Sequence, residues 1–301
     1  MQLLTIDSRE VAGRPGLLLP DGWILDLRAA ESTLSQAQWR PQSVISILVA
    51  GEAGRERAQA LLDGAVDPAR RAELKQAGAL LPFAGTALMT PLRRPGLMLV
   101  ADSRVTGPDE PRPAAYIKGP GTATADGSTV MLPALPEARI HARAMPAVVL
   151  SRPLFRVDAA AAAEAIGAWT LVIDISLAEP AADADAASWR RYLDSKQFPG
   201  AFPCGPALIT QDEFLAVDRI AVGLAVNGVA GDSGELVLGE VPALLAALSR
   251  RYGFRPGDLV AFADAGAGGS AGRPLCAGDQ LLATLDDRLR LAVSLQSRPP
   301  R

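Results

Sequence analysis

The sequence predicts an α+β protein that is mainly β, and three observations point there. Short apolar runs bounded by turn residues recur at Leu97–Val100, Ala147–Leu150, Thr170–Ile175 and Leu259–Phe262, which suits buried strands. Tight-turn residues separate strand-like pairs. Asn227-Gly228 follows Ile220–Val226, and Asp286-Asp287 sits between Leu281–Leu285 and Leu289–Val293. Helical periodicity is confined to a few segments.

Taken in order, Leu3–Ile6, Gly16–Leu19 and Trp23–Leu27 read as strands, the last two joined by the turn Pro20-Asp21-Gly22. Asp26 to about Leu62 reads helical, with Ile45, Leu48 and Val49 on one face and a solvated helix start at Glu52–Arg57. Thr90–Gly96 is a punctuated linker, so we expect a small N-terminal α/β domain over 1–90 and a β-rich body over 91–301. In Asp102–Pro113, three prolines forbid a regular helix. Tyr116–Pro120 is a strand end meeting a turn. Val157–Trp169 reads as a helix with Asp158 as N-cap and alanine-rich propensity behind it. Val241–Tyr252 is an amphipathic helix, and Arg255–Asp258 turns into Leu259–Phe262.

Composition removes several function classes. With 49% apolar residues a sizeable core can form, and 30 basic against 33 acidic residues give no reason to expect nucleic acid or an anionic membrane as partner. Met1–Glu10 lacks a basic segment followed by an apolar one, and no run of about 18 apolar residues occurs. A cytoplasmic protein without membrane span is expected. Cys204 and Cys276 make no metal-type spacing and are expected to be buried, reduced thiols. His141 is the single histidine, which nearly excludes histidine catalysis; a structural hydrogen bond at a strand end is its expected role. Gly266–Ala271 fits G-x-G-x-x-A, but Pro274 and the Cys276–Asp279 turn oppose the helix a dinucleotide site needs, so a loop at a pocket rim is expected.

What remains is a set of charges at strand ends and turns in apolar surroundings: Lys118, Arg143, Asp174 and Lys196. Charges so placed pair with one another or serve a site, because unpaired burial is costly. Arg143 and Met145 lie two residues apart and so face one side of a strand.

The order of these residues resembles the fumarylacetoacetate hydrolase family over roughly residues 91–295. Tyr116–Pro120 resembles its F-x-K-P-P segment, and Val130–Pro133 its I-V-L-P. Ala147–Leu150 resembles the end of D-Y-E-x-E-L-A-V-V-I-G, and Ile173–Ser176 resembles N-D-V-S. Ser195–Phe198 with Cys204–Pro206 is similar to G-K-S-F-D…P-x-G-P, and Val226–Gly228 matches V-N-G. Arg255–Asp258, Ala265-Gly266 and Ala277–Asp279 follow the closing L-x-P-G-D…P-A-G-V-G…G-D. The resemblance implies a β-roll catalytic domain, a homodimer, and action on small β-diketo or 2-oxo acids. It also implies Mg²⁺, Mn²⁺ or Ca²⁺ held by two glutamates and an aspartate.

This chain departs from that pattern. Arg143 and Met145 stand where the two glutamates belong, and only the aspartate is kept, as Asp174. The family's lid histidine and glutamate fall on Asp102–Pro113, which has no histidine; Pro199 replaces the last aspartate of K-S-F-D and Asp264 the threonine of G-T-P. We therefore expect no Mg²⁺ or Mn²⁺. Arg143 is expected to supply the metal's positive charge and to pair with Asp174. The expected catalytic residues are Lys196, Arg143 and Asp174, and Lys118, Gly266 and Asp264 are expected to bind a small carboxylate or oxo acid. Among reactions, keto–enol tautomerisation demands least, decarboxylation is a further option, and hydrolytic C–C cleavage demands most, for want of a histidine to activate water. A catalytically inactive anion binder or partner subunit is the alternative. A third possibility is a register slip that places the metal glutamates at Glu137, Glu164 or Glu179.

Overall fold

The computed structural model describes residues 1–8, 13–30, 41–93, 95–102, 114–134, 138–178, 185–268 and 274–297. Strands β1 (Gln2–Ile6), β2 (Arg14–Leu18) and β3 (Trp23–Asp26) fall where the alternation put them, and Gly22 turns the last pair at φ 80°. Asp26 does not begin a helix. Its fully buried carboxylate accepts from the Arg28 and Ala29 amides at 3.0 and 3.1 Å and faces the Arg14 guanidinium at 3.1 Å. Among the described residues of that stretch and the one after it, the helices are α1 (Val44–Val49), α2 (Gly51–Val66) and α3 (Pro68–Gln76), the first opened by a Ser43–Ser46 capping box. Strand β4 (Leu80–Pro82) then pairs with β3.

Beyond the linker come β5 (Met98–Ala101), β6 (Ala115–Lys118), β7 (Ala123–Thr124), β8 (Thr129–Leu132) and the long β9 (His141–Leu150). Asp158 caps α4 (Ala159–Ala165) as expected, but that helix is short and the chain passes straight into β10 (Ile166–Ser176). Gly167 sits where a Cβ would approach the Ser151 Cβ to 2.8 Å, and Ala168 and Trp169 pair with Val149 and Val148. Ladder pairing and burial thus override alanine-rich helix propensity. Next come α5 (Ala186–Asp194), β11 (Phe202–Thr210), β12 (Arg219–Val226) and β13 (Val229–Val237). The chain closes with α6 (Val241–Ser249), β14 (Leu259–Phe262), β15 (Ala267–Gly268), β16 (Gln280–Leu285) and β17 (Leu289–Ser297). Helix α6 stops at Ser249, short of the expected Tyr252.

Two sheets result. A twelve-stranded sheet runs β4-β3-β2-β1-β11-β10-β9-β14-β5-β6, with β7 on β11 and β15 on β9; a five-stranded sheet runs β13-β12-β16-β17-β8. Because β1 pairs with β11, residues 1–90 join the body through a ladder as well as through the linker. Strands β9 and β10 are buried on both faces. Ala142, Ala144, Val148 and Leu150 face a core shared with the smaller sheet, whereas Met145, Ala147 and Val149 face a second core under the N-terminal helices. Arg143 shares the second face, as its spacing from Met145 requires.

Candidate functional site

The β9–β10 register sets Arg143 directly opposite Asp174, and Met145 opposite Val172. Arg143 and Asp174 therefore project from one face of the sheet. On β6, Tyr116 and Lys118 lie two residues apart on the same core side. Lys196 comes from the turn after α5, where Ser195 caps the helix and its hydroxyl donates to the Tyr192 carbonyl at 2.7 Å. Gln197 ties that turn to the end of β6, accepting from the Gly119 amide and donating to the Ile117 carbonyl, both at 3.0 Å. Sequence segments far apart thus converge on one carboxylate.

That carboxylate is enclosed by donors. Lys118 Nζ reaches Asp174 Oδ1 at 2.9 Å, and Lys196 Nζ and the Tyr116 hydroxyl reach Oδ2 at 2.5 and 2.6 Å. Lys118, Asp174 and Lys196 are all buried. Lys118 Nζ also donates to the Lys196 carbonyl, and to the Ala201 carbonyl at 3.4 Å, so its three protons are all placed within the protein. It is arranged to hold Asp174 and the Lys196 turn rather than to reach a ligand. The Lys196 ammonium lies 4.2 Å from the Tyr192 ring centroid and 5.3 Å from that of Tyr116, within cation–π range.

Burial alone would raise the Asp174 carboxyl, but the Lys118 and Lys196 ammonium groups and the Lys196 and Tyr116 hydrogen bonds hold it well below the usual carboxylate range. Burial lowers Lys118, only partly offset by Asp174. For Lys196 burial pulls down as well, but Asp174 and Tyr192 outweigh it and the group stays raised. Tyr116 is raised well above its ordinary value by burial and by Asp174. With three acceptors around Lys118 Nζ and the carboxylate on Lys196 Nζ, the geometry sets two ammonium groups against one carboxylate.

Arg143 does not pair with Asp174, whose oxygens are already taken. Its guanidinium instead donates to the Ala263 carbonyl at 3.0 Å and is only partly buried. Its remaining N–H groups have no partner among the described residues. Gly266 explains the placement, because a Cβ there would stand 2.7 Å from the Arg143 Cγ and Cδ and 2.9 Å from the Ala144 carbonyl. Asp264, exposed in the neighbouring turn, lines a cleft of about 510 Å³ with Asp102, Glu235 and Glu240. An acidic rim of that kind opposes an anion, so Asp264 stands apart in charge from the other expected site residues.

The family's divalent cation does not fit this donor set. One carboxylate already answers two ammonium groups, the β9 side chains on its face of the sheet are a guanidinium and a buried methionine, and hard cations require oxygen ligands. Among the described residues no three His, Cys, Asp or Glu side chains group to hold a metal. The ladder register sets Arg143 opposite Asp174, whereas Glu164 is exposed on α4 and paired with Arg152 at 2.7 Å, which speaks against a register slip there. Glu137, Glu179 and the lid positions 103–113 lie outside the described residues, as do 269–271 of the glycine-rich loop. Cys204 is buried, its thiol pushed up to about 12 by burial, but Cys276 is exposed, against expectation. His141 opens β9 opposite Ser176.

Sequence reasoning missed Tyr116 as a functional group and missed Tyr192 altogether. Tyr116 stands two residues before Lys118 on a strand, a same-face signal; Tyr192 stands four residues before Lys196, across a helix end that the sequence did not mark.

The family model described as "Fumarylacetoacetate (FAA) hydrolase C-terminal" matches residues 98–293. The chain belongs to the fumarylacetoacetate hydrolase family. It is 24% identical over 286 residues to the oxaloacetate tautomerase YisK of Bacillus subtilis (strain 168), covering 90% of this chain and 92% of that one. Maleylpyruvate hydrolase from Sphingobium sp. SYK-6, solved with a manganese(II) ion and pyruvate, superposes with a TM-score of 0.73 at 20% identity over 99% of both chains. The 2-hydroxyhepta-2,4-diene-1,7-dioate isomerase from Mycobacterium marinum gives 0.68 at 18% identity over 100% of both. These superpositions establish the family fold across the whole chain. Among the described residues, no helix is long and apolar enough to cross a membrane.

Proposed function

We propose that this member of the fumarylacetoacetate hydrolase family binds a small β-diketo or 2-oxo acid and interconverts its keto and enol forms without a divalent metal. The observation that carries the reading is the cation set on one sheet face: Lys118 and Lys196 closed around Asp174, with the Arg143 guanidinium opposite and only one of its donors used. The Bacillus subtilis relative, named an oxaloacetate tautomerase, supports the same chemistry.

In this reading a substrate carboxylate takes the open donors of Arg143. The carbonyl oxygen lies toward Lys196, whose ammonium is held by Asp174 and by the tyrosine rings. When solvent water takes the proton from the carbon beside the carbonyl, the electron pair of that C–H bond moves onto the carbonyl oxygen, and the preplaced cations stabilise the charge that develops there. Returning the proton to oxygen completes the interconversion, with no nucleophilic water needed. The homodimer and the cytoplasmic setting remain part of the proposal.

Thermal unfolding of EDTA-treated protein with oxalate and Mn²⁺, separately and together, tests the binding half. Oxalate alone, at about 100 times its dissociation constant, should add about 2.7 kcal/mol to native stability. A shift that appears only with Mn²⁺ present would defeat the metal-free reading. Loss of enol absorbance on adding oxaloacetate tests turnover. Binding without such loss favours the second reading, an anion-binding relative without catalysis, to which the replacement of both glutamates equally points.

A further inference from the structure

One surface lies outside this site and plays no part in the proposed reaction. The turn Leu154–Arg156 runs against the loop after α6. Leu154 and Phe254 exchange backbone hydrogen bonds of 3.2 and 2.9 Å, and the Arg156 amide donates to the Ser249 carbonyl at 3.0 Å. Exposed Arg156, Arg250, Arg251 and Arg255 are thereby gathered on one face, and none forms an ion pair among the described residues. Phe155 is 59% exposed, with the Arg156 guanidinium 5.1 Å from its ring centroid. Three residues earlier, Arg152, paired with Glu164 at 2.7 Å, lines a cleft of about 670 Å³ between the start of α2 and α4 together with Arg55, Glu52 and Val49, the last 52% exposed.

The C-terminus of α6 favours a cation, which accounts for Arg250 at its cap. It does not account for the exposed phenyl ring or for the other guanidinium groups, which stand out against a net chain charge of −3.

We propose that this face docks an acidic polypeptide segment of a partner protein, its carboxylates on the arginines and an apolar side chain in the cleft. Arginine and aromatic residues dominate the energetics of protein interfaces, and guanidinium groups match carboxylates bidentately. A cleft beside the basic patch gives an anchor side chain somewhere to go, which a flat anionic membrane would leave unused. The Phe155 ring already stacks with Arg156 and has Gly253 next to it, where a Cβ would lie 3.9 Å from the ring, so it offers a nucleic-acid base little open face.

The test is fluorescence anisotropy with a labelled peptide of glutamates flanking one central leucine, using the full chain. The wild type should bind in a salt-sensitive manner. Arg250→Glu/Arg251→Glu should weaken binding by about tenfold or more, and Phe155→Ala and Val49→Asp by about fivefold each. Arg290→Glu on exposed β17 should change nothing. The proposal is overturned if the wild type does not bind the peptide or if the reversals leave binding intact. Tighter binding of an oligothymidylate or of phosphatidylglycerol vesicles through the same arginines would also overturn it. So would sedimentation showing that the double reversal splits an assembly of this chain, since the face would then belong to a second copy.

Discussion

Two cationic regions face each other across the β9–β10 ladder and differ in what they lack. Around Asp174 the donors close on the carboxylate: Lys118, Lys196 and Tyr116 are buried and each gives it a hydrogen bond, with Lys118 alone having three acceptors around its ammonium. One residue across the ladder, Arg143 is partly exposed and spends a single hydrogen bond on the Ala263 carbonyl. A closed ion cluster defines structure, because removing one member leaves the others charged and dry. An open guanidinium costs little to keep and can be satisfied by a ligand. Stability should therefore reside with Asp174 and anion affinity with Arg143.

The largest expected effect is on the closed side. Asp174→Asn should cost about 3–5 kcal/mol in urea unfolding, because two buried ammonium groups lose their counter-charge. A loss under 1 kcal/mol would mean that the cluster is solvated and the contrast false. The same carboxyl gives the pH dependence. Its folded value lies below the unfolded one, so its contribution is fully present above about pH 4 and fades as pH falls through the folded value. Lys196, raised in the fold, adds stability below its unfolded value that is lost as pH rises past the folded one. In Asp174→Asn both dependences should flatten, which urea midpoints across pH would show.

Gly266 flanks the open region, on the side of β9 where β15 rather than β10 pairs. Gly266→Ala puts a methyl group against the Arg143 side chain and the Ala144 carbonyl, and should cost about 1–3 kcal/mol while also weakening oxalate binding. If only stability falls, the guanidinium is not the anion site. Arg143→Met should sharpen the comparison from the open side: unfolding should move by less than about 1 kcal/mol, yet oxalate should bind at least about tenfold more weakly, the loss of a hydrogen bond to a charged group. The smallest effect is far from both. Asp158→Ala removes the cap on the Ala161 amide and should cost about 1 kcal/mol, with anion binding unchanged.

Where local chemistry dominates, the sequence was readable. Asn227 and Gly228 take positive φ values of 52° and 79° and turn β12 into β13 as that dipeptide demands. Lys118, Asp174 and Lys196 were legible because they fall in ordered motif stretches, and the structure brings all three together. The partner expected for Arg143 was not legible, since nothing local says that Lys118 and Lys196 reach Asp174 first. The long helix expected over Val157–Trp169 failed for a related reason: alanine propensity is a weak local preference, and a full ladder against β9 outweighs it.

By itself, then, the sequence determined the β-rich class, the turns at Gly22 and Asn227-Gly228, the Asp158 cap and the identity of the charged residues, because each depends on neighbours along the chain. Only the tertiary structure decided how those charges divide. Pairing β1 with β11 made one sheet of both segments, and folding β6 and the turn after α5 onto β10 closed two lysines and a tyrosine around Asp174. The Ala263–Gly266 turn, laid beside β9, then took Arg143 for itself. A buried carboxylate goes to the donors that reach it with the best geometry, and that is a property of distance in space rather than along the chain.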